Sequence, residues 1–194
     1  MTNLTQHLES RHVDLSLHNV WIDEEDYVAT FPLWNLSGQM IGYQNYRPNS
    51  SKLRKNDEKG RYYTYRGVKL APDWMEFPNR NVTCAVWGLE SWYLSNTLFV
   101  VEGVFDAARL TKMGCSAIAL LANDPDSSLA NWLFELRAQR PVVAVCDPGK
   151  AGAKLAKTGH VSHTVNMPGM PDADLGDVDD AYVRNLINTY RNLK

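Results

Sequence analysis

The sequence predicts an α/β protein whose second half is a parallel sheet flanked by helices and whose first half is a smaller β-rich, α+β unit. Two observations predict it. Short, fully apolar runs alternate with stretches of helical periodicity from residue 97 onward, which is how a parallel sheet covered on both faces reads. Upstream, aromatic and β-branched runs surround glycine-containing turns with no helical period, which reads as antiparallel strands. The expected division falls at residues 1–96 and 97–194.

The elements follow in order. Met1 to Asn19 is polar, with His7, His12 and His18 and no clean period; it fits a short helix or a partly ordered lead, with solvent-exposed histidines. Tyr27 to Leu33 is a strand, Asn35-Leu36-Ser37-Gly38 a turn, and Met40 to Tyr46 the returning strand of a hairpin. The charged segment Asn49 to Gly60 is a loop, and Arg61 to Arg66 another strand. Ala71 to Asn81, with Pro72 and Pro78, is irregular, and Ala85 to Trp92 closes this half. Leu98 to Val101 is then a buried strand. Val104 to Met113 is a helix stopped at Gly114, and Ala117 to Leu121 a second strand. Ser128 to Gln139 is a helix with Leu129, Trp132, Leu133 and Leu136 on one face. Pro141 to Cys146 is a third strand, Ala151 to Lys157 begins a helix, and Thr164 to Asn166 is a short strand. A last helix runs from Asp179 to Tyr190, its Tyr182, Val183, Leu186, Ile187 and Tyr190 face docked on the sheet.

Composition excludes several classes. The chain has 194 residues, 44% of them hydrophobic, and 20 Lys+Arg against 22 Asp+Glu, a net charge of −2. No chain-wide basic coat exists, so nucleic-acid binding has to rest on a local patch. The longest apolar runs are far too short to span a bilayer and Met1 to Ser10 carries no apolar core of a signal, so the expectation is a cytoplasmic, non-membrane protein. Cys84, Cys115 and Cys146 form no C-x-x-C pair, so no zinc site is expected and all three read as buried, reduced thiols.

Chemistry in such a sheet gathers at the C-terminal ends of the strands. Three acidic groups fall there: Glu102 with Asp106 one turn later, Asp147, and Asp172 with Asp174 and Asp177. Carboxylates brought together at adjacent strand ends repel unless a cation lies among them, and hard oxygen ligands favour Mg²⁺ or Mn²⁺. Gly103, Gly149 and Gly152 would let the backbone turn sharply beside a phosphate. A single strand-end Asp is as easily a helix cap; three clusters after three strands are not. Asn123 to Asp126 follows the second strand and reads as a turn or the same cleft's rim. Residues 47–69 add Arg47, Lys52, Arg54, Lys55, Lys59, Arg61, Arg66 and Lys69, interleaved or flanked by Tyr43, Tyr46, Tyr62, Tyr63 and Tyr65. Cations that neutralise phosphates beside aromatics that stack bases suit a single strand.

Three segments together resemble the TOPRIM domain of primases, topoisomerases and related nucleases: Val101-Glu102-Gly103-Val104-Phe105-Asp106, Val145-Cys146-Asp147-Pro148-Gly149-Lys150-Ala151-Gly152, and Asp174-Leu175-Gly176-Asp177. Upstream, Phe31 to Tyr43, Gly60 to Thr64 and Val86 to Glu90 are similar to the opening of the bacterial primase polymerase core. The order of pieces from Tyr27 to Asp180 looks most like small bacteriophage primase-like proteins. The resemblance implies a TOPRIM-like parallel sheet behind a primase-core-like subdomain. It implies Glu102 as general acid/base or metal anchor, Asp147 as a metal ligand, and Asp174, Asp177 and Asp172 as further ligands. It implies Mg²⁺ or Mn²⁺ as cofactor, and Lys52, Arg54, Lys55, Arg61, Arg66 and Lys150 as nucleotide- or nucleic-acid-binding residues. Partners would be single-stranded DNA or RNA, nucleotides and a helicase or other replisome protein, in the host cytoplasm if phage-encoded. Two departures stand out: Gly149 occupies the place of the family's second Asp in D-x-D, and neither a zinc module nor a G-x-x-x-x-G-K-[ST] phosphate loop is present in this sequence. Nucleotidyl transfer, hydrolysis and binding alone remain three open readings.

Overall fold

The computed structural model describes residues 3–52, 57–66, 85–121, 127–166, 173–191 and 193, with the backbone alone at 66, 127, 128 and 151. An N-terminal helix, α1 (Leu4–Ser10), precedes an antiparallel sheet of β1 (Trp21–Asp23), β2 (Val28–Trp34), β3 (Met40–Tyr46) and β4 (Tyr62–Arg66), in that spatial order. The parallel sheet follows as β5 (Leu98–Val101), α2 (Val104–Lys112), β6 (Ser116–Ala119), α3 (Ser127–Leu136), β7 (Val142–Cys146), α4 (Lys150–Leu155), β8 (Val161–Thr164) and α5 (Asp180–Tyr190). Its spatial order is β6-β5-β7-β8. This is the α/β architecture expected, with helices on the parallel sheet and an antiparallel sheet before it.

Side-chain alternation along each strand explains how the parallel sheet is covered on both faces. Phe99, Val101, Ala117, Ala119, Val143 and Val145 point into one core, shared with α1, β2, α2 and α5. Leu98, Val100, Ile118, Val142, Ala144 and Cys146 point into the other, beneath Leu129, Leu133 and Leu136 of α3 and Leu155 of α4. Burying an aliphatic side chain of this size stabilises the fold by about 1.5–3 kcal/mol. These two-sided strands set the site's floor.

One short segment ties the two sheets together. Val86 exchanges backbone hydrogen bonds with Trp34 at the end of β2, and Trp87 does so with Ala119 at the end of β6. Gly88 then turns the chain at φ +93°, where a β-carbon would come within 2.7 Å of the Ala117 carbonyl oxygen. The Trp87 ring is fully buried, edge-on to Phe31.

Several expectations shift. Of the two forms open to the lead, it takes the short helix, held by Leu4 and Leu8 in the core and by Glu24, whose carboxylate accepts hydrogen bonds from the Leu4 and Thr5 amides. His18 is not solvent-exposed: it is 2% exposed, lies against Trp87 with ring centres 4.3 Å apart and planes tilted by 35°, and pairs with Thr111 through Nε2. Its neighbours are brought in from far along the chain, so a polar local sequence carried no sign of them. The final sheet strand ends at Thr164, where the sequence placed its beginning. Strand β1 had no β-branched run to announce it. Cys115 and Cys146 are buried thiols as expected; Cys84, Ala71 to Asn81 and Asn123 to Asp126 lie outside the described residues. Among the described residues no helix is long and apolar enough to cross a membrane.

Candidate active site

The sheet order locates the site. The chain leaves β5 toward β6 on one side and later returns to β7 on the other, so β5 and β7 are adjacent while their connections diverge. A crevice opens beyond the carboxyl ends of such a strand pair. Glu102 is the first residue after β5 and Asp147 the first after β7. Both line one cleft of about 430 Å³, together with Gly103, Asp106 and Asp174. Its facing wall comes from the antiparallel half and the N-terminus: Gln44, Lys52, Tyr62 and Arg11.

Asp106 is the third residue of α2, with Gly103 at the cap, and its carboxylate accepts the Gly103 amide. This reproduces half of a capping box. A β-carbon on Gly103 would stand 2.7 Å from Asp106 Oδ2, so the glycine makes room for the carboxylate. Burial pushes the Asp106 pKa up to about 8, and the charges of Asp174, Asp147 and Glu102 add to the rise. Asp106 therefore holds a proton at neutral pH. Burial also raises Asp147, reinforced by Asp174 and Asp177.

Asp174 reaches the cleft from a loop whose shape is set by alternate burial. Ala173, Leu175 and Val178 anchor in the core while Asp174 and Asp177 face outward. The Asp174 carboxylate accepts the Gly176 amide at 2.6 Å, and Asp177 Oδ2 accepts the Asp174 amide at 3.1 Å. Arg109, 5% exposed, fastens the loop to α2 by donating to the Leu175 carbonyl and to Asp180.

The glycines divide by role. A β-carbon on Gly152 would fall 1.8 Å from the Asp147 carbonyl oxygen, so α4 approaches the Asp147 turn only because residue 152 has no side chain. Gly149 has φ +93° and ψ −166°, a conformation that belongs almost solely to glycine. Leu121, also at the cleft, is held at φ +57° with its amide bonded to the Glu102 carbonyl. A leucine there stores about 1–3 kcal/mol of backbone strain beside the acidic cluster.

The candidate residues thus separate. Glu102, Asp147, Asp174, Gly103 and Lys52 converge on the cleft. Asp177 acts on Asp147 by its charge and shapes the Asp174 turn. Arg61 is not among the lining residues; its Nε donates to the Ser50 carbonyl. Lys150 is exposed at the start of α4. Asp172, Arg54, Lys55 and the Arg66 side chain lie outside the described residues. The tyrosines split across the antiparallel sheet. Tyr46 and Tyr62 stack at 5.2 Å, with Tyr46 buried and Tyr62 on the cleft side. Tyr43, Tyr63 and Tyr65 alternate onto the opposite face, where Tyr43 stacks on Tyr65.

The sequence groups Asp106 with Glu102 at i+4 but assigns it no ligand role; its burial, which the fold supplies, is what sets it apart. Sequence reasoning missed Arg11 for a different reason: only the docking of α1 brings that guanidinium over the Phe105 ring, 4.2 Å from its centre. Among the described residues no three His, Cys, Asp or Glu side chains stand close enough to grip one ion as placed. The donor chemistry nevertheless fits a hard divalent cation: oxygen donors from carboxylates, one of them made to hold a proton by burial and then by its charged neighbours, facing an open cleft.

No protein-family model matches this sequence, and no curated protein matches it either. Solved structures do match in fold. The Aquifex aeolicus primase, comprising zinc-binding and RNA polymerase domains, superposes with a TM-score of 0.59 at 18% identity, over 95% of this chain and 55% of its own. A DnaG primase catalytic domain bound to single-stranded DNA gives 0.55 at 18% identity, over 96% and 57%. The primase domains in a bacteriophage T7 lagging-strand polymerase complex with an RNA/DNA hybrid and dTTP give 0.55 at 13% identity, over 89% and 81%. This chain therefore spans just over half the length of the first two and has the fold of DNA primase catalytic cores.

Proposed function

We propose that the chain is a primase-like TOPRIM protein of the bacteriophage type that performs metal-dependent nucleotidyl transfer on single-stranded nucleic acid. The observation that supports it most is the convergence of Glu102, Asp106, Asp147 and Asp174 on one cleft, close enough that their charges help raise Asp106 to about 8. Such a cluster is poised to exchange a proton for a cation. Glu102, Asp106, Asp147 and Asp174 would hold Mg²⁺ or Mn²⁺, with Asp177 and Asp172 supporting. Bound there, the ion would polarise phosphate oxygens and favour ionisation of an attacking hydroxyl.

The chain's own side chains do the rest. Lys52 and Arg11, on the facing wall, neutralise phosphate charge across the cleft from the acids. Tyr62, raised to about 12 chiefly by burial, keeps its phenolic proton and donates it as a hydrogen bond. Glu102 at the strand end takes or returns the proton of the reacting hydroxyl. Arg61, Arg54, Lys55, Arg66 and Lys150 would supply further contacts to phosphate. Single-stranded DNA or RNA and nucleotides are the substrates, with a helicase or other replisome protein as partner, in the cytoplasm of a host cell.

The test is incubation with single-stranded DNA, NTPs and Mn²⁺ or Mg²⁺, scoring both new oligonucleotides and degradation. New oligonucleotides, reduced at least about 100-fold by Glu102→Gln without loss of folding, are expected. Degradation without synthesis would move the chain to the TOPRIM nucleases. One observation favours a further reading as a binding module: the glycine-only backbone at Gly149 leaves no carboxylate there for the ion. Equal single-strand binding by wild type and Glu102→Gln, with neither making nor cutting a phosphodiester bond, would select it.

A further inference from the structure

We infer that a second nucleic-acid contact lies on the far side of the parallel sheet from α2, along a basic stripe that begins three residues after Asp147 and ends in a pocket on α3. The inference rests on the reading of the cleft as a nucleic-acid site for its direction only. Lys150, Lys154 and Lys157 are spaced four and three residues apart through α4 and the 3-10 turn that continues it, so they share one face. All three are exposed. Lys150 stands three positions after Asp147, which lines the cleft. Lys154 and Lys157 then line a separate cavity of about 310 Å³ with Ala130, Asn131, Phe134 and Arg137.

Phe134 carries the argument further. It is 71% exposed, although α3 has a complete apolar face already buried through Leu129, Leu133 and Leu136. Most of the ring's surface is therefore open to solvent, off the helix's buried face. Arg137, one turn on, places its guanidinium carbon 5.9 Å from the centre of that ring. Among the described residues no carboxylate lines this cavity. Three cations supply phosphate neutralisation, and an exposed aromatic with a guanidinium supplies a stacking platform for a base. An acidic peptide would answer the cations. The exposed ring, and a stripe that begins three residues after Asp147, favour a single strand leaving the active site.

The test uses the full chain and fluorescent oligothymidylates of 5 and 20 nucleotides, read by anisotropy at several salt concentrations. Lys154→Glu with Lys157→Glu is expected to weaken the 20-mer at least about 10-fold and the 5-mer under about 2-fold. It should lower the salt slope by about 1.4, since each phosphate no longer neutralised accounts for about 0.7. Phe134→Ala, exposed and safe for folding, is expected to weaken the 20-mer about 5-fold or more. Variants that bind the 20-mer like wild type overturn the proposal. So does a loss seen only for a poly-glutamate peptide probe, which would make this a protein-docking site. Loss of 20-mer binding in a chain whose wild type shows no metal-dependent chemistry would sustain the stripe while removing the catalytic reading. The converse result, intact synthesis with unaffected 20-mer binding, would do the opposite.

Discussion

Two glycines beside Asp147 show how single positions set the cleft. At Gly152 the obstacle is a backbone carbonyl, which cannot rotate away, so Gly152→Ala has to displace α4 or the Asp147 turn. A loss of about 3 kcal/mol or more in urea unfolding is expected, near the top of the range for point substitutions. At Gly149 space is open but the backbone is not: nothing lies within 4 Å of where a β-carbon would stand, while φ +93° with ψ −166° penalises any side chain. Restoring a carboxylate by Gly149→Asp is therefore expected to cost about 1–3 kcal/mol and to leave oligonucleotide synthesis no higher than wild type. A gain in synthesis would mean the loop relaxes readily and the departure from the D-x-D pattern is incidental.

At the scale of elements, α2 is the frame on which the acids are hung. Its first turn carries Asp106, and its Arg109, a turn later, reaches the loop that carries Asp174. Arg109→Ala would leave the Leu175 carbonyl without its partner and open a gap, at about 2–3 kcal/mol. Because the Arg109 guanidinium fixes the Asp174 loop, Mn²⁺ affinity by calorimetry should fall about 10-fold in this variant. Arg109→Lys should not restore it, since one ammonium cannot serve both Leu175 and Asp180 in the same fork. Helix α1 plays the matching part on the opposite wall, where Glu24 and the buried Leu4 and Leu8 carry Arg11 to the cleft.

For the whole molecule, the acidic cluster ties stability to pH. The Asp106 pKa rises from an ordinary 3.8 to about 8 on folding. Between those values the folded chain keeps a proton that the unfolded chain has released, so stability falls as pH rises through this window. Thermal unfolding without divalent ions should show a Tm lower by about 5 °C or more at pH 8.5 than at pH 5.5, and Asp106→Asn should flatten that slope. Mn²⁺ should raise Tm more at pH 8.5, where the ionised carboxylates repel, than at pH 5.5, where protons compete with it. A Tm insensitive to Mn²⁺ at both pH values would count against the cleft as a metal site.

Much of the molecule is legible in residue order alone. Leu98 to Val101 and Pro141 to Cys146 announce buried parallel strands because only apolar residues survive on both faces of such a sheet. Glu102 and Asp147 then follow as strand-end acids, since the position of a residue just after a strand is a local property. What the local pattern left open needed neighbours from distant segments. His18 is buried because Trp87 and Thr111 close over it, from far along the chain. Arg61 turns aside to the Ser50 carbonyl while Arg11 takes a place in the cleft wall, and neither choice is written in the adjoining residues. Residue type and short spacing are thus enough for the alternation of strands and helices and for the place of Glu102 and Asp147 just after two of the strands. Which acids, cations and rings share one cleft is fixed only in the folded chain, because sheet order and helix docking are settled by burial summed over all of it.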